Sequence, residues 1–257
     1  MWNRIVVMDG AMGSYLSHAI TNPKAVAEAH RQYLAAGADI IKTNTFCLNH
    51  DSAEAARIAR KAANEFMPKR YVAASIGPNG NSKDLYYTHL LGLARAADVL
   101  LVETLTGIGV TKTVLEACEQ IFDENSLRIP VMLSVTISMD GRLLSGETLE
   151  EFWSAVSSYN PFSIGINCSF GARHMKPHIQ RLREIVSTCV SCHPSAGLPD
   201  SSGKYPESPD EWADSVREFA ESGWVDIVGG CCGTTPAYIH ALVRAVHQIP
   251  HATIDLL

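Results

Sequence analysis

Two cysteines stand side by side in the stretch GGCCGTTP, residues 229–236, and a third, Cys168, ends the run GINC. One single thiol and one adjacent pair supply three of zinc's four tetrahedral positions and leave the fourth open, as catalytic zinc sites do. Adjacent cysteines are poorly placed to bond to each other, and flanking glycines permit the tight backbone that lets both sulfurs face one ion. Packing is the competing reading. Cysteine also behaves as a small buried hydrophobe, and GGCCG can be strand core followed by a turn. Spacing alone leaves both readings open.

The elements that position these thiols come from the apolar pattern. Eight β-branched runs end in turn residues: RIVVMDG, ADIIKTNTF, RYVAASIG, DVLLVET, IPVMLSVTI, PFSIGINC, TCVSCHPSAG and VDIVGGCC. Amphipathic stretches with start signals lie between them. Asn22-Pro23 opens one, and Thr148 with Glu151 forms a capping box before another. Ser208, Pro209 and Glu211 open a third, whose Trp212, Val216, Phe219 and Ala220 make one apolar stripe ending at Gly223. Continuous apolar strands alternating with helices indicate a parallel sheet buried on both faces, and eight such units indicate a closed (β/α)8 TIM barrel. The expectation is an α/β fold in a single domain over residues 1–257. An open doubly wound sheet is the alternative, but no G-x-G-x-x-G follows the first strand.

Chemistry in such a barrel sits at the C-terminal strand ends. The polar residues there are Asp9 after the first strand, Asn44 and Thr45 after the second, and Glu103 after the fourth. Ser134 and Thr136 lie late in the fifth, Asn167 and Cys168 after the sixth, and Cys231 and Cys232 after the eighth. Three thiols therefore converge on one rim. Asp9 and Glu103 also read as helix-dipole partners or solvated rim charges. Cys47, Cys118 and Cys189 read as packing or incidental thiols, whereas Cys192, late in the seventh strand, stays a candidate. The ten histidines show no H-E-x-x-H or comparable pair and read mostly as surface or capping residues.

Composition bounds the classes. With 46% hydrophobic and 19% charged residues, the 257-residue chain can bury a sizeable core and does not read as disordered. A net charge of -6 without a long basic run argues against a nucleic-acid partner. The start, MWNRIVVMDG, is too short in apolar residues for a signal peptide or a membrane span, so the expectation is a cytoplasmic protein with no membrane partner. Seven unevenly spaced cysteines do not make a secreted disulfide framework.

With these residues laid out, the chain resembles the homocysteine S-methyltransferase family, zinc-dependent barrels that methylate a thiol. The carriers are MDGAMGSYL, AGADIIKTNTF, SIGP, DVLLVETL, SVTISMDGRLLSG, GINCSFGA and GGCCGTTP, nearly end to end. The resemblance implies that Cys168, Cys231 and Cys232 hold Zn2+. It also implies that Asp9, the Gly10 backbone and Thr45 fix the amino-acid end of homocysteine and that Glu103 receives its ammonium, with Asn44 and Asn167 as supporting donors. The segment PSAGLPDSSGKYPESPDEWA is most similar to the homocysteine-binding domain of cobalamin-dependent methionine synthase. A methyl-corrinoid would then arrive on a separate cobalamin-binding protein, making the chain the acceptor half of a split methionine synthase.

Three departures from the pattern stand out. Nine residues separate Gly13 from Pro23 and six separate Pro78 from Leu85, so the loops after the first and third strands are shorter than the family's. Ser195 stands where related methionine synthases usually have asparagine. Shortened rim loops keep two alternatives open: a thiol methyltransferase for another acceptor, and a non-catalytic zinc-binding partner subunit. In the favoured reaction zinc deprotonates the substrate thiol, and three cysteine thiolates keep electron density on its sulfur for in-line attack on the methyl group.

Overall fold

A computed structural model describes residues 2–17, 21–47 and 52–255. The eight expected runs form one parallel sheet. Its strands are β2 (Val6–Val7), β3 (Ile40–Lys42), β4 (Tyr71–Ile76), β5 (Val99–Leu105), β6 (Val131–Val135), β7 (Ser163–Gly171), β8 (Cys189–Ser195) and β9 (Ile227–Val228). Each pairs with its sequence neighbour, and β9 pairs with β2. The remaining seam is closed by a parallel bridge between Met8 and Ile40, with the Asp9 N–H donating to the Ile40 carbonyl at 3.0 Å. This is the expected (β/α)8 barrel.

The helices start where the capping chemistry says. Asn22 accepts from the Lys24 and Ala25 N–H groups at the head of α2 (Pro23–Ala35), which follows the single-turn α1 (Gly13–Leu16). Both capping boxes close, Thr148 with Glu151 on α6 (Leu149–Val156) and Ser208 with Glu211 on α8 (Pro209–Glu221). The α8 stripe is buried as its spacing requires, and Gly223 takes a φ of +69° just past the helix end. The other helices are α3 (Ser52–Asn64), α4 (Lys83–Ala94), α5 (Ile108–Asn125), α7 (Ala172–Ile185) and α9 (Pro236–Val246). Residues 77–82 alone join β4 to α4, the short third loop seen in the sequence. No described helix is long and apolar enough to cross a membrane.

Strand alternation divides the apolar residues in two. Ile41, Val72, Ala74, Leu100, Val102, Leu133, Ile164 and Val190 pack outward against the helices, forming the larger core. Val6, Ile40, Ala73, Val99, Leu101, Met132 and Ile227 fill the lower barrel interior. That plug is continued by an antiparallel pair absent from the sequence reading, β1 (Trp2–Arg4) with β10 (Pro250–Ile254), which adds Trp2 and Ile254.

The N-terminal ends of the strands share one device. Asp39, Asp98 and Asp226 each precede a strand, and each accepts a backbone N–H from the neighbouring strand, from Val7 at 3.0 Å, Val72 at 2.8 Å and Val190 at 2.5 Å. Each also binds an arginine, Arg4, Arg60 and Arg183 respectively. The carboxylate thus fixes strand register while its charge is paired.

Candidate metal and substrate site

The two ends of the chain's motif series are tied together at the upper rim. Thr234 donates to the Cys231 carbonyl at 2.6 Å and accepts the Ala11 N–H at 3.1 Å, while Tyr33 donates to the Ala11 carbonyl at 2.5 Å. On the other side the Cys231 N–H donates to Pro194 O and the Ala196 N–H to Cys232 O, both at 2.9 Å. The paired cysteines are therefore held between the ends of β2 and β8. Glycine is required beside them: a Cβ on Gly230 would lie 2.3 Å from Thr234 Oγ1, and one on Gly233, at φ +80°, 2.2 Å from the Tyr205 ring.

Cys168 reaches the pair through strained backbone. Cys168 and Ser169 take φ values of 60° and 48°, a left-handed region costly for residues other than glycine. Ser169 Oγ secures the turn by accepting the Ile137 N–H at 3.0 Å. The result is a Cys168–Cys232 sulfur separation of 3.7 Å, with all three sulfurs within 4.8 Å of one another. A tetrahedral zinc with sulfur arms of about 2.3 Å has edges of about 3.8 Å. The donor set therefore fits a zinc ion, with one position left for a substrate.

Electrostatics at the three thiols point the same way. Hydrogen bonds from Cys168, Cys231 and the Tyr205 hydroxyl hold Cys232 far below the ordinary thiol range. Hydrogen bonding to Cys231 and Cys232 drives Cys168 upward, and Cys231 is also raised, because Cys232 and burial outweigh the lowering bond from Cys168. One thiolate is comfortable there and three are not. A divalent cation removes that conflict by supplying the missing charge.

Below the sulfurs the barrel interior is polar. Asn167 is its hub: Oδ1 accepts the Thr104 N–H at 2.9 Å and the Ser134 hydroxyl at 2.8 Å, and Nδ2 donates to Thr104 Oγ1 at 2.8 Å. These bonds hold Thr104 at φ 61° next to Glu103. Asn167 Nδ2 also lies 3.8 Å from Cys231 Sγ. Glu103 accepts a hydrogen bond from Ser75, and burial pushes its carboxyl up against the lowering pull of Lys42. Asp9 accepts the Lys42 N–H through Oδ2 at 2.9 Å; burial pushes it up to about 7, again opposed by Lys42.

Placement of the remaining candidates varies. Gly10 is buried against Thr234 and Tyr33, and Thr45 is buried with its hydroxyl donating to Ser75 O at 2.7 Å. Asn44 is half-buried beyond β3. Thr136 contacts Ser169 Oγ at 3.1 Å, a support for the Cys168 turn. Ser195 Oγ lies 4.0 Å from Cys168 Sγ, and its carbonyl accepts from Trp212 Nε1 at 3.1 Å, which ties α8 to the rim. Cys192 is not brought to the site: it faces the helix layer, 3.7 Å from Met175 Sδ, because alternation turns its neighbour His193 inward instead.

Three residues escaped the sequence reading. Lys42 and His193 occupy inward positions of β3 and β8, and Tyr205 lies over Gly233. His193 corrects the expectation of surface histidines, as does His30: both are fully buried, with no hydrogen-bond partner at either ring nitrogen. Burial, aided by Lys42, pushes His193 down to about 3, so it is neutral.

The homocysteine S-methyltransferase family profile matches residues 6–246. The chain belongs to the homocysteine S-methyltransferase family. As a member it is a methyltransferase. Its fold is shared with the homocysteine methyltransferase MmuM from Escherichia coli. The apo form is 23% identical, covering 94% of this chain and 96% of that one with a TM-score of 0.74. The metallated form is 21% identical, covering 93% and 95%, also at 0.74. The carboxyl transferase domain of Rhizobium etli pyruvate carboxylase is a more distant barrel, 12% identical over 99% of this chain and 50% of that one, with a TM-score of 0.60.

Proposed function

We propose that this family member is a zinc-dependent enzyme that transfers a methyl group to the thiol of homocysteine, forming methionine. The observation that carries the reading is the trio of sulfurs from Cys168, Cys231 and Cys232, all within 4.8 Å of one another, with Cys168 and Cys232 one zinc-tetrahedron edge apart at 3.7 Å. Zinc bound there supplies a Lewis acid that favours the substrate's thiolate at neutral pH. Everything else falls to the protein. Asn167 and Thr234 hold the sulfur donors in place, while Asp9, the Gly10 backbone, Thr45 and Glu103 bind the amino-acid end, with Asn44 beside them. Fixing both ends of the acceptor aims its sulfur at the methyl donor and contributes orientation.

The donor in this reading is a methyl-corrinoid carried by a separate protein, so that the chain is the acceptor half of a split methionine synthase working in the cytoplasm. Support comes from the segment 194–213, which resembles the cobalamin-dependent branch and carries Tyr205, whose hydroxyl bonds Cys232, and from exposed Met139, Leu144 and Leu198 on the rim loops. Calorimetric titration of homocysteine into zinc-loaded and zinc-stripped protein, in buffers of different ionisation enthalpy, tests the acceptor. Zinc-dependent binding with proton release is expected. Folded, zinc-loaded protein that ignores homocysteine would contradict the reading and favour another acceptor thiol, to which the shortened rim loops would give room.

A further inference from the structure

Lys42 is a buried cation with unused bonding capacity. It ends β3 with its side chain 9% exposed, and its ammonium donates to the Gly230 carbonyl at 3.1 Å. An ammonium carries three donors, and this is one bond. The nearest carboxylate oxygen, Asp9 Oδ1, is 3.8 Å away, an electrostatic contact too long for a hydrogen bond. That oxygen is itself buried without a hydrogen-bond partner. Spare donors and a spare acceptor thus lie side by side beneath the cysteine loop, where leaving polar groups unmatched is costly unless a ligand completes them.

The charges around Lys42 indicate which part of a ligand belongs there. Burial alone would lower its pKa, but Glu103, Asp9, Cys231 and Cys232 together outweigh that and keep it charged. On the homocysteine reading the amino-acid end lies beside Asp9 and Glu103, where its carboxylate meets groups of like charge and needs a cation to pair with. Neutral His193 offers no relief. Lys42 is the cation that both carboxylates face.

We propose that Lys42 determines acceptor specificity by pairing with the substrate's α-carboxylate while Glu103 takes the α-ammonium, restricting the acceptor to free α-amino-acid thiols. This rests on the homocysteine reading above and deepens it. The residue was invisible as a site candidate because a lone lysine after two isoleucines reads as a strand end reaching solvent.

The test compares two thiols that differ only in the carboxylate, homocysteine and 3-aminopropane-1-thiol, by calorimetry on zinc-loaded wild type, Lys42→Met and Lys42→Arg. Wild type should prefer homocysteine on the order of ten- to a hundredfold, the range of a charge-assisted hydrogen bond. Lys42→Met should lose that factor for homocysteine, bind the aminothiol within about threefold of wild type, and so lose the preference; Lys42→Arg should retain part of it. Equal binding of the two thiols by wild type overturns the proposal without any variant. So does an equal loss for both thiols in Lys42→Met, the result of a purely structural role. If zinc-loaded wild type binds neither thiol, the homocysteine reading itself fails and the proposal falls with it.

Discussion

Replacing Asn167 with alanine removes the clamp that joins β5, β6 and β7 under the sulfur trio. The side chain is fully buried and makes four hydrogen bonds, two with Thr104, one with Ser134 and a long one to Cys231 Sγ. Truncation leaves the Thr104 N–H and the Ser134 hydroxyl as buried donors without acceptors, and each orphan costs about 1–3 kcal/mol. The hydroxyl can rotate toward another acceptor and the amide cannot, so the sum should be about 3 kcal/mol. Thr104 also loses the bonds that hold it at φ 61°, which displaces Glu103 beside it. Urea unfolding should show that loss with an unchanged m value, and Tm should fall by roughly 6–12 °C. Ser134→Ala should cost about 1 kcal/mol, with the double variant costing less than the sum because the two share one bond. Stability of Asn167→Ala within about 1 kcal/mol of wild type, or strict additivity, would refute the argument that this polar layer holds the site.

Acidification gives a second prediction. Burial pushes His30 from its ordinary 6.5 down to about 4. Above pH 6.5 both folded and unfolded chains hold it neutral; between 6.5 and 4 the unfolded chain takes up a proton that the folded one refuses. Stability is therefore lost as pH falls through that window, by about 3 kcal/mol in full, and His30→Leu should flatten the decline by about 2 kcal/mol between pH 7 and 4.5 in urea titrations at pH 7, 5.5 and 4.5. Identical slopes would show that His30 is not kept neutral. For the metal ligands, Cys168→Ser, Cys231→Ser and Cys232→Ser should each weaken zinc binding in chelator competition by more than the ten- to hundredfold typical of an outer contact. Buried Cys118→Ser should leave zinc unaffected, and full zinc retention in any of the three removes that residue from the ligand set. Asp98→Ala strips β4 of its Val72 hydrogen bond and leaves Arg60 unpaired, so a loss of about 3 kcal/mol with unchanged zinc affinity is expected from denaturation and chelator titration; a loss below about 1 kcal/mol would mean the bond does not hold register.

The barrel was legible because its strands carry their signal locally. DVLLVET becomes β5 and IPVMLSVTI contains β6, since a strand buried on both faces needs no distant partner to be apolar. The pair β1 and β10 escaped because WNR and PHATI are short and polar and find each other from opposite ends of the chain. At the site, Cys231 and Cys232 stood out through residue type and flanking glycine, and Cys168 as a thiol at a strand end. Lys42 and His193 were hidden by composition but readable by period: Ile40 points in, Ile41 out and Lys42 in, while Cys189 and Ser191 carry His193 to the same side. Counting inward positions also disqualifies Cys192. Tyr205 was not legible, because only the folded loop lays its ring across Gly233.

The central claim is that the open zinc position receives the sulfur of homocysteine. X-ray absorption at the zinc edge, on zinc-loaded protein before and after homocysteine, reads that position directly. Three sulfur neighbours rising to four at about 2.3 Å is the predicted result. A sulfur count that stays at three while homocysteine is bound would contradict it.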